Sequence, residues 1–168
     1  MGTTPSSVFP SDLPPIFVLY RYFLAADAMR RYCQEHIRDE QYWRALRAHP
    51  EMAYPIVFHL GPPGIGMSYF YSAMYVLVEA WKELGYHDAK IDSLLDSPLL
   101  DLLRRFRNAT FHFQRNFVSG KWADFIEAGE ESSQWIQELR NAFSDFLFRE
   151  STWVGHHSSY TRRAESED

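Results

Sequence analysis

Residues 104–114 read Arg-Arg-Phe-Arg-Asn-Ala-Thr-Phe-His-Phe-Gln. Arg107 and His112 stand five positions apart, and Asn108 follows the arginine. A guanidinium can hold a phosphate and offset charge that builds on it. An imidazole can take up or release a proton near neutral pH. The two together meet what metal-free cleavage of RNA requires. Between positions 101 and 116, Arg104, Arg105, Arg107 and Arg115 oppose only Asp101. Four charges minus one give +3 locally, in a chain whose net charge is −5.

The segment reads as the end of a helix that starts after Ser97, an N-cap followed by a proline at the first helical position. Side chains four apart stack on one helix face, so Arg104, Asn108 and His112 form a column. Arg105 lies beside it, and Asp101 lies one turn before both arginines. Leu99, Leu102, Leu103, Phe106, Ala109 and Phe113 are expected to face inward. At about 100° per residue, Arg107 and His112 diverge by about 140° on an ideal helix. They meet only if the arginine reaches round, if the helix loosens near His112, or if a second subunit supplies the facing group. The plainer reading is a solvated face whose arginines pair with nearby carboxylates, and composition alone favours it.

The run Arg107-Asn108-Ala109-Thr110-Phe111-His112 resembles the Arg-(Asn/Asp/His)-x-x-x-His motif of the HEPN superfamily, helical-bundle proteins of which many are metal-independent RNases in toxin–antitoxin and phage-defence systems. The resemblance in architecture covers roughly residues 16–150, and the sharp match covers six residues. It implies that Arg107 holds the scissile phosphate and that His112 serves as general base or acid while the ribose 2′-hydroxyl attacks. It implies that Asn108 orients the phosphate or its partners, and that the products are a 2′,3′-cyclic phosphate and a 5′-hydroxyl. No metal or other cofactor is implied. A homodimer is, with two motifs facing one another across a cleft, and a regulatory protein partner is compatible with it. Arg104, Arg105 and Arg115 stand beside the motif as candidate RNA-phosphate contacts. The alternative is a catalytically inert helical module that uses the same polar groove for dimerisation, a nucleotide or a protein partner.

The remaining elements are read from apolar spacing. Residues 16–47 show a helical pattern through Ile16, Leu19, Tyr20, Phe23, Leu24, Met29, Tyr32 and Cys33, with Asp39 placed to cap a second segment and His49-Pro50 to end it. Residues 52–66 read as a connection. Met67, Phe70, Met74, Leu77, Val78 and Trp81 give the cleanest stripe, closed by Gly85. Asp88 to Leu95 suggests a short helix. A long helix is expected over residues 121–150, with Trp122, Phe125, Ile126, Ile136, Leu139, Phe143 and Phe146 inward. Gly129, Ser132 and Ser133 on that stripe would let another backbone approach. The expected fold is all-α, an antiparallel four- to five-helix bundle. Residues 1–15 read as a flexible arm, 16–150 as a single domain and 151–168 as a flexible polar tail.

The chain's 168 residues, 46% hydrophobic and 17% aromatic, suffice for one packed core. Its acidic balance excludes binding nucleic acid by bulk charge, so any such contact is local. One cysteine, Cys33, precludes an internal disulfide and fits a reducing cytoplasm. Met1 to Pro15 lacks a basic start and an apolar run, and no stretch is apolar enough to span a membrane. Gly61-Pro-Pro-Gly-Ile-Gly-Met67-Ser68 imitates a phosphate-binding loop, but Met67 stands where lysine is needed. A flexible turn between helices is the expectation there, with room for it to border the cleft. His156-His157 lacks further metal ligands in sequence, and His36, His49, His59 and His87 are scattered without ligand spacing. Ser119 and Cys33 show no adjacent base. Tyr69, Phe70, Tyr71 and Tyr75 read as packing residues rather than a base-stacking platform.

Overall fold

The computed structural model describes residues 13–48, 58–116 and 119–164, with side chains described as far as Glu150. Among these residues every regular element is a helix: α1 (Ile16–Ile37), α2 (Glu40–Arg47), α3 (Pro62–Glu83), α4 (Ala89–Leu95), α5 (Leu99–Phe111), α6 (Gly120–Glu127) and α7 (Gly129–Ala164). Residues 58–60 are helical as well and lead into α3. No described helix is long and apolar enough to cross a membrane. The arm expected over residues 1–15 lies outside the described residues as far as residue 12, as do His49 and Pro50. Helix α7 continues past Glu150 to Ala164, into the segment expected to be a tail.

The periodic stripes converge on one core. Leu19, Phe70, Met74, Leu77, Trp81, Ile91, Leu103, Phe106, Phe125, Ile136, Leu139 and Phe143 are buried in a single cluster drawn from α1, α3, α4, α5, α6 and α7. Helices α1 and α3 share the most extensive interface, and α3 and α6 both pack against α5. Cys33 of α1 is buried, and loss of solvation pushes the thiol's pKa up. Leu24 is 55% exposed, because the buried line on α1 runs through Ile16, Leu19, Phe23 and Ala26 and leaves it to one side. Asp27 ties the first helix to the last: Arg140 donates to its Oδ1 at 2.7 Å, and Arg30 donates to the same oxygen at 2.9 Å. Burial raises the Asp27 pKa, but these hydrogen bonds outweigh it and hold the carboxylate below its usual range.

Local signals placed most of the boundaries. Asp39 accepts from the N–H groups of Gln41 and Tyr42, so α1 and α2 are two helices rather than one bent one. Asp88 accepts from Lys90 and Ile91 in the same way at α4. The Ser97 hydroxyl accepts from the Leu99 N–H at 3.2 Å, which starts α5. Two expectations need correction. The glycine–proline run is the first turn of α3, not a turn between helices. Pro62 and Pro63 occupy its opening positions, where a helix has no use for the missing N–H. The expected long helix over 121–150 is broken at Gly129, whose φ of +61° only glycine adopts easily. Nothing lies within 4 Å of a Cβ built there, so this glycine serves the turn and not a close approach. The close approaches are at Gly64 and Gly66. A Cβ on Gly64 would meet the Phe58 carbonyl oxygen at 2.4 Å, and one on Gly66 would meet Cys33 Cα at 3.0 Å.

Candidate functional site

Helix α5 presents the basic segment, anchored by buried Leu99, Leu103 and Phe106. Its final backbone bond runs from the His112 N–H to the Asn108 carbonyl at 3.0 Å. His112 itself is extended, with φ −114° and ψ 137°. The chain therefore leaves the helix at the imidazole. Phe113, expected to face inward, is 91% exposed, because the helical period that would have buried it has already ended. The Gln114 side-chain amide donates to the His112 carbonyl at 2.8 Å and steadies this exit.

The arginines separate into distinct environments. Arg104 is exposed and donates to Asp101 at 2.7 Å. Arg105 pairs with Asp124 of α6 at 2.5 Å. Arg107 is partly buried: it donates to Asn108 Oδ1 at 3.0 Å and to Glu79 of α3 at 3.4 Å. Its Nε is buried and has no hydrogen-bond partner among the described residues. Arg115 is exposed and makes no ion pair among the described residues. Three of the four arginines thus pair with carboxylates, and such partly exposed pairs contribute only about 0–1 kcal/mol each. Burial raises the pKa of Tyr75, and nearby Glu79 raises it further against the opposing pull of Arg104 and Arg107.

His112 opens onto a pocket of about 460 Å³ at the C-terminal end of α5. Thr110, Phe111, Gln114 and Asn116 line one side, and Ser119 and Trp122 of the α6 entry line another. His59 and Leu60 come from the helical residues before α3, and Ser68 from α3 itself. Arg107 and Asn108 are not among the lining residues, so within one copy the arginine and the imidazole do not share this pocket. Tyr69 stands edge-on to Phe111 with centroids 5.7 Å apart, while Phe70 and Tyr71 are buried as packing residues.

Two lining groups carry buried polar atoms without a hydrogen-bond partner among the described residues, His59 Nδ1 and Ser119 Oγ. Ser119 is the N-cap residue of α6, yet its hydroxyl makes no capping bond. Each such unpaired atom costs about 1–3 kcal/mol. The His59 ring stands perpendicular to Trp122, with centroids 4.2 Å apart, and burial lowers its pKa from the ordinary 6.5. Burial thus favours the neutral ring, in which one nitrogen donates and the other accepts. Sequence reading passed over His59 and Ser119 because each looks isolated along the chain, and only folding brings them to one cavity. The His156-His157 pair falls among residues whose side chains are not described. Compared with known proteins, the chain matches no family model, no curated protein and no solved structure.

Proposed function

We propose that the chain is a metal-independent endoribonuclease of HEPN type, acting on RNA through attack by the ribose 2′-hydroxyl. The observation that carries this reading is His112: its ring is exposed at the helix exit, on the rim of an open pocket, with no internal hydrogen bond among the described residues. A general base or acid needs that accessibility. Arg107, with Asn108 bonded to it, is the phosphate-holding partner of the motif, and Arg104, Arg105 and Arg115 add positive charge along the same segment. Because Arg107 is absent from the His112 pocket, the reading includes a homodimer in which one copy's arginine faces the other's imidazole. The resemblance extends it to phage defence or a toxin–antitoxin system, with a regulatory protein partner and a cytoplasmic setting.

A second reading, an inert HEPN-like module for dimerisation or for partner or nucleotide binding, has its own support. Glu79 and Asn108 already engage the Arg107 guanidinium, as a structural arginine would be engaged. Incubation of RNA in EDTA with wild type, Arg107→Ala and His112→Ala separates the two. The nuclease reading expects cutting by the wild type, cyclic-phosphate ends, and loss of activity in both variants. Equal cutting by all three proteins, or cutting by none of them, removes it in favour of the module.

A further inference from the structure

We infer that the pocket beside His112 is a nucleobase site, holding one unpaired base of the RNA while the sugar and phosphate stay at the rim. The inference rests on the nuclease reading for the polymer; the pocket's fitness for a base stands on its own lining.

Three observations carry it. First, no aspartate, glutamate, lysine or arginine lines the pocket among the described residues. An occupant that is uncharged where it is enclosed therefore meets no fixed carboxylate, ammonium or guanidinium there. Second, the wall is aromatic. Trp122 is held in place by Phe106 stacked against it at 5.8 Å and 24°, and His59 stands perpendicular to it. A rigid indole of this kind suits a flat ring, because every base has a π-face. Third, the polar groups are neutral donors and acceptors. His59 Nδ1 and Ser119 Oγ are buried and have no partner among the described residues, and Asn116 lines the same space. Hydroxyls, amides and a neutral imidazole match the edge of a base, and single-stranded RNA is read by such edges combined with stacking. The volume of about 460 Å³ falls in the range of small-molecule sites.

The chain order then positions the backbone of the RNA. His112 stands at the rim, and Arg115 lies between two lining residues, Gln114 and Asn116. A base in the pocket leaves its ribose and phosphate beside the His112 imidazole, on the stretch of chain that carries Arg115. The site would thus select the nucleotide next to the bond that is cut.

The test titrates the protein with each of the four ribonucleoside 5′-monophosphates by calorimetry, with ribose 5-phosphate and inorganic phosphate as controls. At least one monophosphate is expected to bind, at least about tenfold more tightly than either control. His59→Leu and Ser119→Ala should each weaken it about tenfold. Circular dichroism melts check that each variant is folded, and Ser119→Ala keeps the test decisive if His59→Leu is not. Failure of every monophosphate to bind, equal binding of ribose 5-phosphate, or unchanged binding in folded Ser119→Ala overturns the base site. RNA cleavage whose base preference survives Ser119→Ala removes the pocket and leaves the nuclease. Base binding without any RNA cleavage leaves the pocket and removes the nuclease.

Discussion

The guanidinium of Arg107 reaches from α5 to the Glu79 carboxylate of α3 at 3.4 Å, while its other terminal nitrogen holds Asn108. The motif arginine is thus occupied by an acidic neighbour that no nearby sequence signal announces. On the proposed nuclease reading, RNA phosphate would compete with Glu79 for the same group.

Glu79→Gln should therefore raise affinity for single-stranded RNA by about 3–10-fold at low salt, and raise cutting with it. The pair is partly exposed, so its loss should cost no more than about 1 kcal/mol of stability. Filter binding and urea unfolding measure the two quantities. Unchanged or weakened RNA binding would mean that Arg107 does not meet phosphate.

His59 makes stability depend on pH. Its folded pKa lies below the unfolded value near 6.5, so the unfolded chain binds the extra proton first as the solution is acidified. The contribution is complete above about pH 6.5 and is lost as pH falls toward the folded pKa. His59→Gln should flatten this part of the curve between about pH 5 and 8. Urea midpoints across that range decide it, and identical slopes in both proteins would show that the ring is not desolvated in solution.

Gly64→Ala should destabilise the fold by about 1–3 kcal/mol. The new methyl group collides with backbone, the Phe58 carbonyl and His59 Cα, which cannot rotate away. The same displacement moves a wall of the His112 pocket, so nucleotide binding should fall together with the melting temperature. A melting temperature equal to wild type would contradict the packing described.

Phe106 and Phe113 should behave oppositely although both were expected inside. Phe106→Ala removes a fully buried ring touching Tyr71, Trp122 and Phe125, at a cost of about 3–5 kcal/mol. Phe113→Ser should change stability by less than about 0.5 kcal/mol, since the side chain is in solvent. Chemical denaturation of the two variants measures both, and a large loss in Phe113→Ser would mean that its ring is covered in solution.

Local chemistry made much of this molecule legible in one dimension. The α3 stripe of Phe70, Met74, Leu77, Val78 and Trp81 is buried as its spacing demanded, and Asp39 and Asp88 cap the helices they precede. Apolar groups three and four apart must leave water together, and a cap acts within its own turn. The Arg107–His112 motif was equally visible. What escaped was set by neighbours distant in the chain. Leu24 is exposed because of where α3 packs, and Phe113 because α5 stops at His112. The Glu79 contact to Arg107 joins two helices. His59, Ser119 and Trp122 become one cavity only when the start of α3 and the entry to α6 close around the end of α5. A residue's own period and propensity dictate which side of its helix is dry. Only the assembled helices decide which polar atoms are left facing a space that none of the described residues fills.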